Sequence, residues 1–263
     1  MTSATPQLRF VEVYRGVSGP TRMVGRGADS THETRRYFQR RVRERLRAAS
    51  SERRVEAYVE ELRATGFAVD SIAAAIEKEP RIEPWEVGEA LAETLLEDYE
   101  DAYFPWPPAW DKRTESASLQ GPDLVGLHKP VAGPRLLFGE VKTSADANAP
   151  PTVAYELRDQ LLRIIKSEGR RRTLLAWLSV RAQNRDWQDA FNTALAAYLR
   201  EPAEASVIGV LLRDTTADRK DLEVVKSALD DTQTSFARVA VAFYFPIRIA
   251  DWPSAVEGTE DAP

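Results

Sequence analysis

The chain has 263 residues, 43% of them hydrophobic and 29% charged, with a formal net charge of −5. That balance belongs to a globular chain able to bury a core, as one large domain or a domain with an extension, and it excludes a uniformly basic nucleic-acid coat. No apolar run approaches a membrane span, Met1 to Arg9 lacks the apolar stretch of a signal peptide, and the absence of cysteine excludes disulfides, zinc–thiolate centres and cysteine nucleophiles; a cytoplasmic protein without a membrane partner is expected.

Residues 8–15 alternate in polarity and predict a strand. Gly16 to Gly27 contains glycine and proline and reads as loop. Ser30 or Thr31 can cap the helix that follows. Between Thr31 and Arg54 that region carries Arg35, Arg36, Arg40, Arg41, Arg43, Arg45, Arg47, Arg53 and Arg54 against Glu33, Glu44 and Glu52, a local charge of +6. Phosphate contact, an acidic partner surface and a plain solvated face all fit such a run. Further helices are expected over about 52–65, stopping at Gly66, and over 71–78, before Pro80 and Pro84 break the chain.

Pro84 suits the first turn of a helix running to about Tyr99, with Val87, Leu91, Thr94, Leu95 and Asp98 on one mostly apolar stripe. Phe104 to Trp110 is a stiff connection rich in proline and tryptophan. Two short strands come next, one within Gly121-Pro122-Asp123-Leu124-Val125-Gly126 and one over Leu136 to Lys142. Ala145 to Pro151 reads as a loop, with Thr152 capping a helix to about Ser167. Thr173 to Val180 fits either a buried strand or part of a helix, and Trp187 to Leu199 is a helix. Val207 to Arg213 and Val239 to Ile249 are continuous, apolar and partly β-branched, the pattern of buried strands. Residues 251–263 are small and acidic and are expected to be disordered. Helices interspersed with apolar strands predict an α/β fold with a central mixed sheet. The expected organisation is a strand plus basic helical region over 1–80, a core over 81–250 and a tail over 251–263.

The chemistry concentrates in the two short strands. Residues two apart on a strand share a face, so Glu140 and Lys142 point together while Val141 points away. If the strands pair, Asp123 can lie beside Glu140. Two converging carboxylates suit a hard divalent cation such as Mg2+ or Mn2+, and the lysine can orient a water or meet the charge that builds on a phosphate. With 41 acidic residues in the chain, about one acid-x-Lys triplet arises by chance. A second triplet exists, Asp218-Arg219-Lys220, but it sits in a polar run with no apolar strand before it.

Pro122-Asp123 followed by Glu140-Val141-Lys142 resembles the signature of the PD-(D/E)xK nuclease superfamily, and the order helix, motif strands, helix, strand over 84–213 is similar to its restriction-endonuclease-like core. The resemblance implies metal binding by Asp123 and Glu140 and a catalytic Lys142. It also implies a third acidic residue on the preceding helix, where Glu89 after Gly88 matches, with Glu86 and Glu93 as competitors and a solvated helix glutamate as the plain reading. Gln160 lies on one helical face with Val153, Leu157 and Ile164 and matches a glutamine that several branches place near the site; Ile164 stands where a tyrosine often follows, and a structural glutamine fits as well. More narrowly, Gly88-Glu89, Gly121-x-Asp123, Gly139-Glu140-x-Lys142 and the late strands resemble the nuclease subunit of Hachiman-type antiphage systems. That likeness implies a DNase restrained by a partner helicase. The alternatives are a catalytically inactive regulatory subunit of the same fold and an interaction protein in which the motif is accidental.

Other chemistries find little support. Two histidines, His32 and His128, cannot build a histidine-rich centre; His128 could approach the motif but reads as a turn histidine. No phosphate-binding Gly-x-x-x-x-Gly-Lys loop is present, and Gly16-Val17-Ser18-Gly19 lacks nucleophile-elbow spacing. The tryptophans are too scattered along the chain to predict a stacking platform.

Overall fold

The computed structural model describes residues 8–16, 18–49, 82–105, 122–129, 133–201 and 205–258. The helices expected over 52–65 and 71–78, and the stiff connection after residue 105, lie outside them. Seven strands form one mixed sheet: β1 (Phe10–Arg15), β2 (Thr21–Ala28), β3 (Ala102–Tyr103), β4 (Leu124–His128), β5 (Arg135–Ser144), β6 (Ala205–Arg213) and β7 (Ala237–Tyr244), in the order β1-β2-β7-β6-β5-β4-β3. The four central strands β2, β7, β6 and β5 are parallel, while β1, β4 and β3 join antiparallel at the two sides. All nine residues of β6 are buried, as expected of a continuous apolar run between two parallel neighbours.

Helices cover both faces. Residues 31–49 form α1, which contains a π-helical segment at Phe38–Val42, and α2 is Pro84–Tyr99. On the other face lie α3 (Thr152–Lys166), α4 (Glu168–Ala182), α5 (Gln188–Arg200) and α6 (Lys220–Asp231); a final helix, α7, is Trp252–Glu257. The strand period of two divides the core. Odd-numbered Leu137 and Val141 of β5 pack with α1, α2 and α7, whereas even-numbered Leu136 and Phe138 pack with α3 to α6. The α/β architecture is the expected one, and among the described residues no helix is long and apolar enough to cross a membrane.

Local signals account for several boundaries. Ser30 Oγ accepts the amide of Glu33 at 3.1 Å and caps α1. At α2, Pro84 occupies the first turn and Glu83 and Glu86 form a reciprocal capping box. Thr152 does not cap α3: Pro151 holds the cap position, and the Thr152 amide donates to Asp146 Oδ2 at 3.3 Å. The ambiguous stretch 173–180 is helical, because Arg171, Leu175, Leu178 and Ala182 are buried at helical spacing while Thr173, Ala176 and Val180 are exposed.

Two expectations are corrected. Thr21–Ala28 is a strand rather than loop, because β7 and β1 pair with it on either side. Gly25 is needed there, since a Cβ at this position would sit 2.3 Å from the Tyr14 ring. Through β2 the sheet also crosses the division expected at residue 80. Residues 251–258 of the expected tail are ordered, and 259–263 lie outside the described residues: Trp252 is fully buried, with its ring centroid 5.6 Å from Phe38 and 5.7 Å from Phe245. One large aromatic residue outweighs the polar composition around it.

Candidate metal centre

Antiparallel pairing sets Leu124 of β4 opposite Gly139 of β5, so the next pair outward is Asp123 and Glu140. There β4 begins, while β5 continues through Ser144 with β6 on its other side. Among the described residues the result is a notch in the sheet, floored by residues 140–144. The Asp123 amide donates to Glu140 Oε2 and the Val141 amide to Asp123 Oδ2, both at 3.4 Å. Lys142 Nζ lies 2.8 Å from Glu140 Oε1 and 3.8 Å from Asp123 Oδ2. The sequence motif is therefore assembled in space: two carboxylates and one ammonium share the notch.

Burial grades the three groups. The Glu140 side chain is 5% exposed, Lys142 19% and Asp123 28%. Loss of solvent pushes the Glu140 carboxyl up to about 7, reinforced by the Asp123 carboxylate and opposed by Lys142. Lys142 is thus a partner of a buried acid, not the exposed sheet-edge charge that an isolated strand end would carry. The donor set fits a hard cation: two carboxylate groups converge where added positive charge is favourable, and Mg2+ commonly takes only one or two carboxylates besides water.

Glu89 does not complete a trio. Among the described residues no three His, Asp or Glu side chains gather as a metal-holding group. The sheet itself is the reason. A Cβ on Gly88 would lie 2.8 Å from Thr143 Cγ2, so α2 rests closely on the odd-numbered face of β5, whereas Glu140 and Lys142 belong to the even-numbered face. Of the competitors, Glu86 belongs to the capping box and Glu93 is buried against Arg45.

Gln160 lies on α3, on the same side of the sheet as Glu140. A Cβ on Gly209, the register partner of Glu140, would meet Leu161 at 2.6 Å and Leu157 at 3.5 Å, which shows how closely α3 covers this strand. Gln160 Oε1 is sealed from solvent without a hydrogen-bond partner. His128 closes β4 five residues from Asp123, about 16 Å along the strand, and its Nδ1 lies 3.2 Å from Ser206 Oγ. Asp218-Arg219-Lys220 opens α6, where Asp218 Oδ1 accepts the Lys220 amide at 2.9 Å, so the second triplet is a helix start.

Part of the arginine run turns inward. Arg41 pairs with Asp98 at 3.0 Å and Glu97 at 3.6 Å, Arg45 pairs with Glu93, and Arg43 donates to the carbonyls of Val256 and Gly258. These contacts bind α1 to α2 and to α7, while Arg35 and Arg36 remain exposed; Arg53 and Arg54 lie outside the described residues.

One element beside the notch went unforeseen. Arg213 is fully buried, in register with Ser144, and donates to Asp221 Oδ1 at 2.7 Å and to the carbonyls of Asp146 and Asn148. Tyr244 completes the cluster by donating to Asp221 Oδ2 at 2.8 Å. It ties down the loop that leaves β5 just after Lys142. An arginine ending an otherwise apolar strand is its sequence signal, since a buried guanidinium requires an anion. No family model matches the chain, and no curated protein matches it.

Proposed function

We propose that the chain is a metal-dependent nuclease hydrolysing phosphodiester bonds of DNA. One observation carries this reading: Asp123, Glu140 and Lys142 converge in a notch where β5 outruns β4. Asp123 and Glu140 would hold Mg2+ or Mn2+, which supplies Lewis acidity toward water and phosphate. Lys142 Nζ would orient the attacking water and meet negative charge on the phosphate oxygens. The Val141 amide and Lys142 hold the carboxylates in place before any ligand arrives. The setting would be cytoplasmic antiphage defence under a partner helicase, an assignment that rests on the Hachiman likeness alone.

A second reading, a catalytically silent regulatory subunit of the same fold, is favoured by the absence, among the described residues, of a third His, Asp or Glu gathered with the pair. Supercoiled plasmid incubated with Mg2+ or Mn2+, beside EDTA, Lys142→Ala and Asp218→Ala, separates the readings. Nicking that needs metal, vanishes in Lys142→Ala and survives in Asp218→Ala supports the nuclease. Metal binding without cutting, for the chain alone and with its partner, supports the silent subunit. Neither binding nor cutting leaves an interaction protein.

A further inference from the structure

The sheet ends on one side in β1, and among the described residues no strand pairs with its outer edge. A strand so placed turns alternate amides and carbonyls away from the sheet. Apolar surface lies on the same strand. Val11 and Val13 are 50% and 45% exposed, and Gly27, the β2 residue beside both, has no side chain to cover them. The register of β1 on β2 shifts between Glu12 and Tyr14, a bulge at Val13. The bulge changes which residues share a face. Tyr14 packs on the α3–α6 side, its hydroxyl 2.8 Å from that of Tyr244, and a Cβ on Gly27 would lie 3.4 Å from Val13 Cγ1 on that side. Glu12 and Arg15 both lie on the α1–α2 side, in register with Arg26 and Val24, and Arg15 Nε donates to Glu12 Oε1 at 2.9 Å.

Edge strands are commonly kept from joining one another by a bulge or by charge. Charge repels a strand of the wrong pattern, yet it favours one that carries the opposite sign at the facing position. On β1 the two signs share a face three residues apart, so the strand is complementary to itself. Antiparallel pairing about a two-fold axis between Val13 and Tyr14 sets Glu12 of each copy opposite Arg15 of the other, and Val13 opposite Tyr14, with facing residues on the same side of the sheet. We propose that β1 is a homodimerisation edge: a second copy of the chain adds its own β1 antiparallel in this register, joins the two sheets into one and buries Val13 against Tyr14 of the other copy. The interface lies at the opposite side of the sheet from β4, and the proposal stands independently of the nuclease reading.

Sedimentation velocity of the full chain, from low to high micromolar concentration, reads the stoichiometry. A dimer is expected. Glu12→Arg and Arg15→Glu should each raise its dissociation constant on the order of tenfold, because each sets like charges opposite one another at two symmetry-related positions. Glu12→Arg combined with Arg15→Glu should restore the native value. Both side chains are exposed, so the melting temperature of each variant should stay at the native value and mark it as folded. Arg35→Glu, on the exposed surface of α1, controls for bulk charge and should leave the dimer unchanged. A monomer at every concentration would overturn the proposal, whether the edge is covered by another part of the chain or kept for a different protein. So would a dimer that the single reversals leave intact, or one that the combined variant fails to restore.

Discussion

Replacing Lys142 by alanine should destabilise the fold, and by an amount that depends on pH. Glu140 is buried, and its carboxyl is pushed up to about 7 from an ordinary value of 4.5. A raised folded-state pKa means that stability is greatest below about 4.5 and falls as pH rises toward about 7, where both folded and unfolded carboxyls become ionised and the curve flattens. Without the ammonium 2.8 Å away the pKa moves higher still, so the decline continues past neutrality. Each further pH unit costs about 1.4 kcal/mol. Between about pH 6 and about pH 8.5 the penalty of Lys142→Ala should therefore grow by about 2 kcal/mol. Urea unfolding of both proteins at the two pH values measures it through the shift in midpoint. Glu140→Gln in both backgrounds should abolish the pH dependence of the difference. A penalty equal at the two pH values would refute the reasoning, since Glu140 would then not be the buried acid that Lys142 neutralises.

Three other outcomes are expected. Mn2+ must compete with the proton on Glu140, so affinity by calorimetry should rise about tenfold from about pH 6 to about pH 8; no change would remove Glu140 from the ligand set. Arg213→Met leaves Asp221 buried without its cation and should cost about 3–5 kcal/mol in denaturant unfolding, while Arg213→Met with Asp221→Leu should recover much of that loss; a single variant as stable as the parent would contradict the ion pair. Trp252→Ala should cost about 3–5 kcal/mol, whereas an unchanged melting temperature would mean that residues 252–257 do not pack as described.

Patterns that depend on near neighbours were legible in the chain. Pro84 and the apolar stripe after it define α2 from start to end. The apolar runs of β6 and β7 mark them as buried strands, although β7 stops at Tyr244, short of Ile249. A strand period of two is enough to put Glu140 and Lys142 on one face. These features follow from backbone geometry acting over a few residues.

Other features required contacts between distant parts of the chain. The position of Asp123 opposite Glu140 comes from the register of β4 on β5, and the notch from their unequal lengths. Thr21–Ala28 became a strand because β7 was there to pair with it. Arg41 and Arg45 face inward because α2 offers Asp98, Glu97 and Glu93 at matching positions. Glu89 fell outside the carboxylate pair because α2 packs on the opposite face of β5, a choice that helical periodicity does not contain. Residue identity determined which groups were available, an acid, an acid and an amine at strand spacing. Tertiary packing decided which of them lost their water, and burial is what turned Glu140 from an ordinary carboxylate into one that titrates near neutrality.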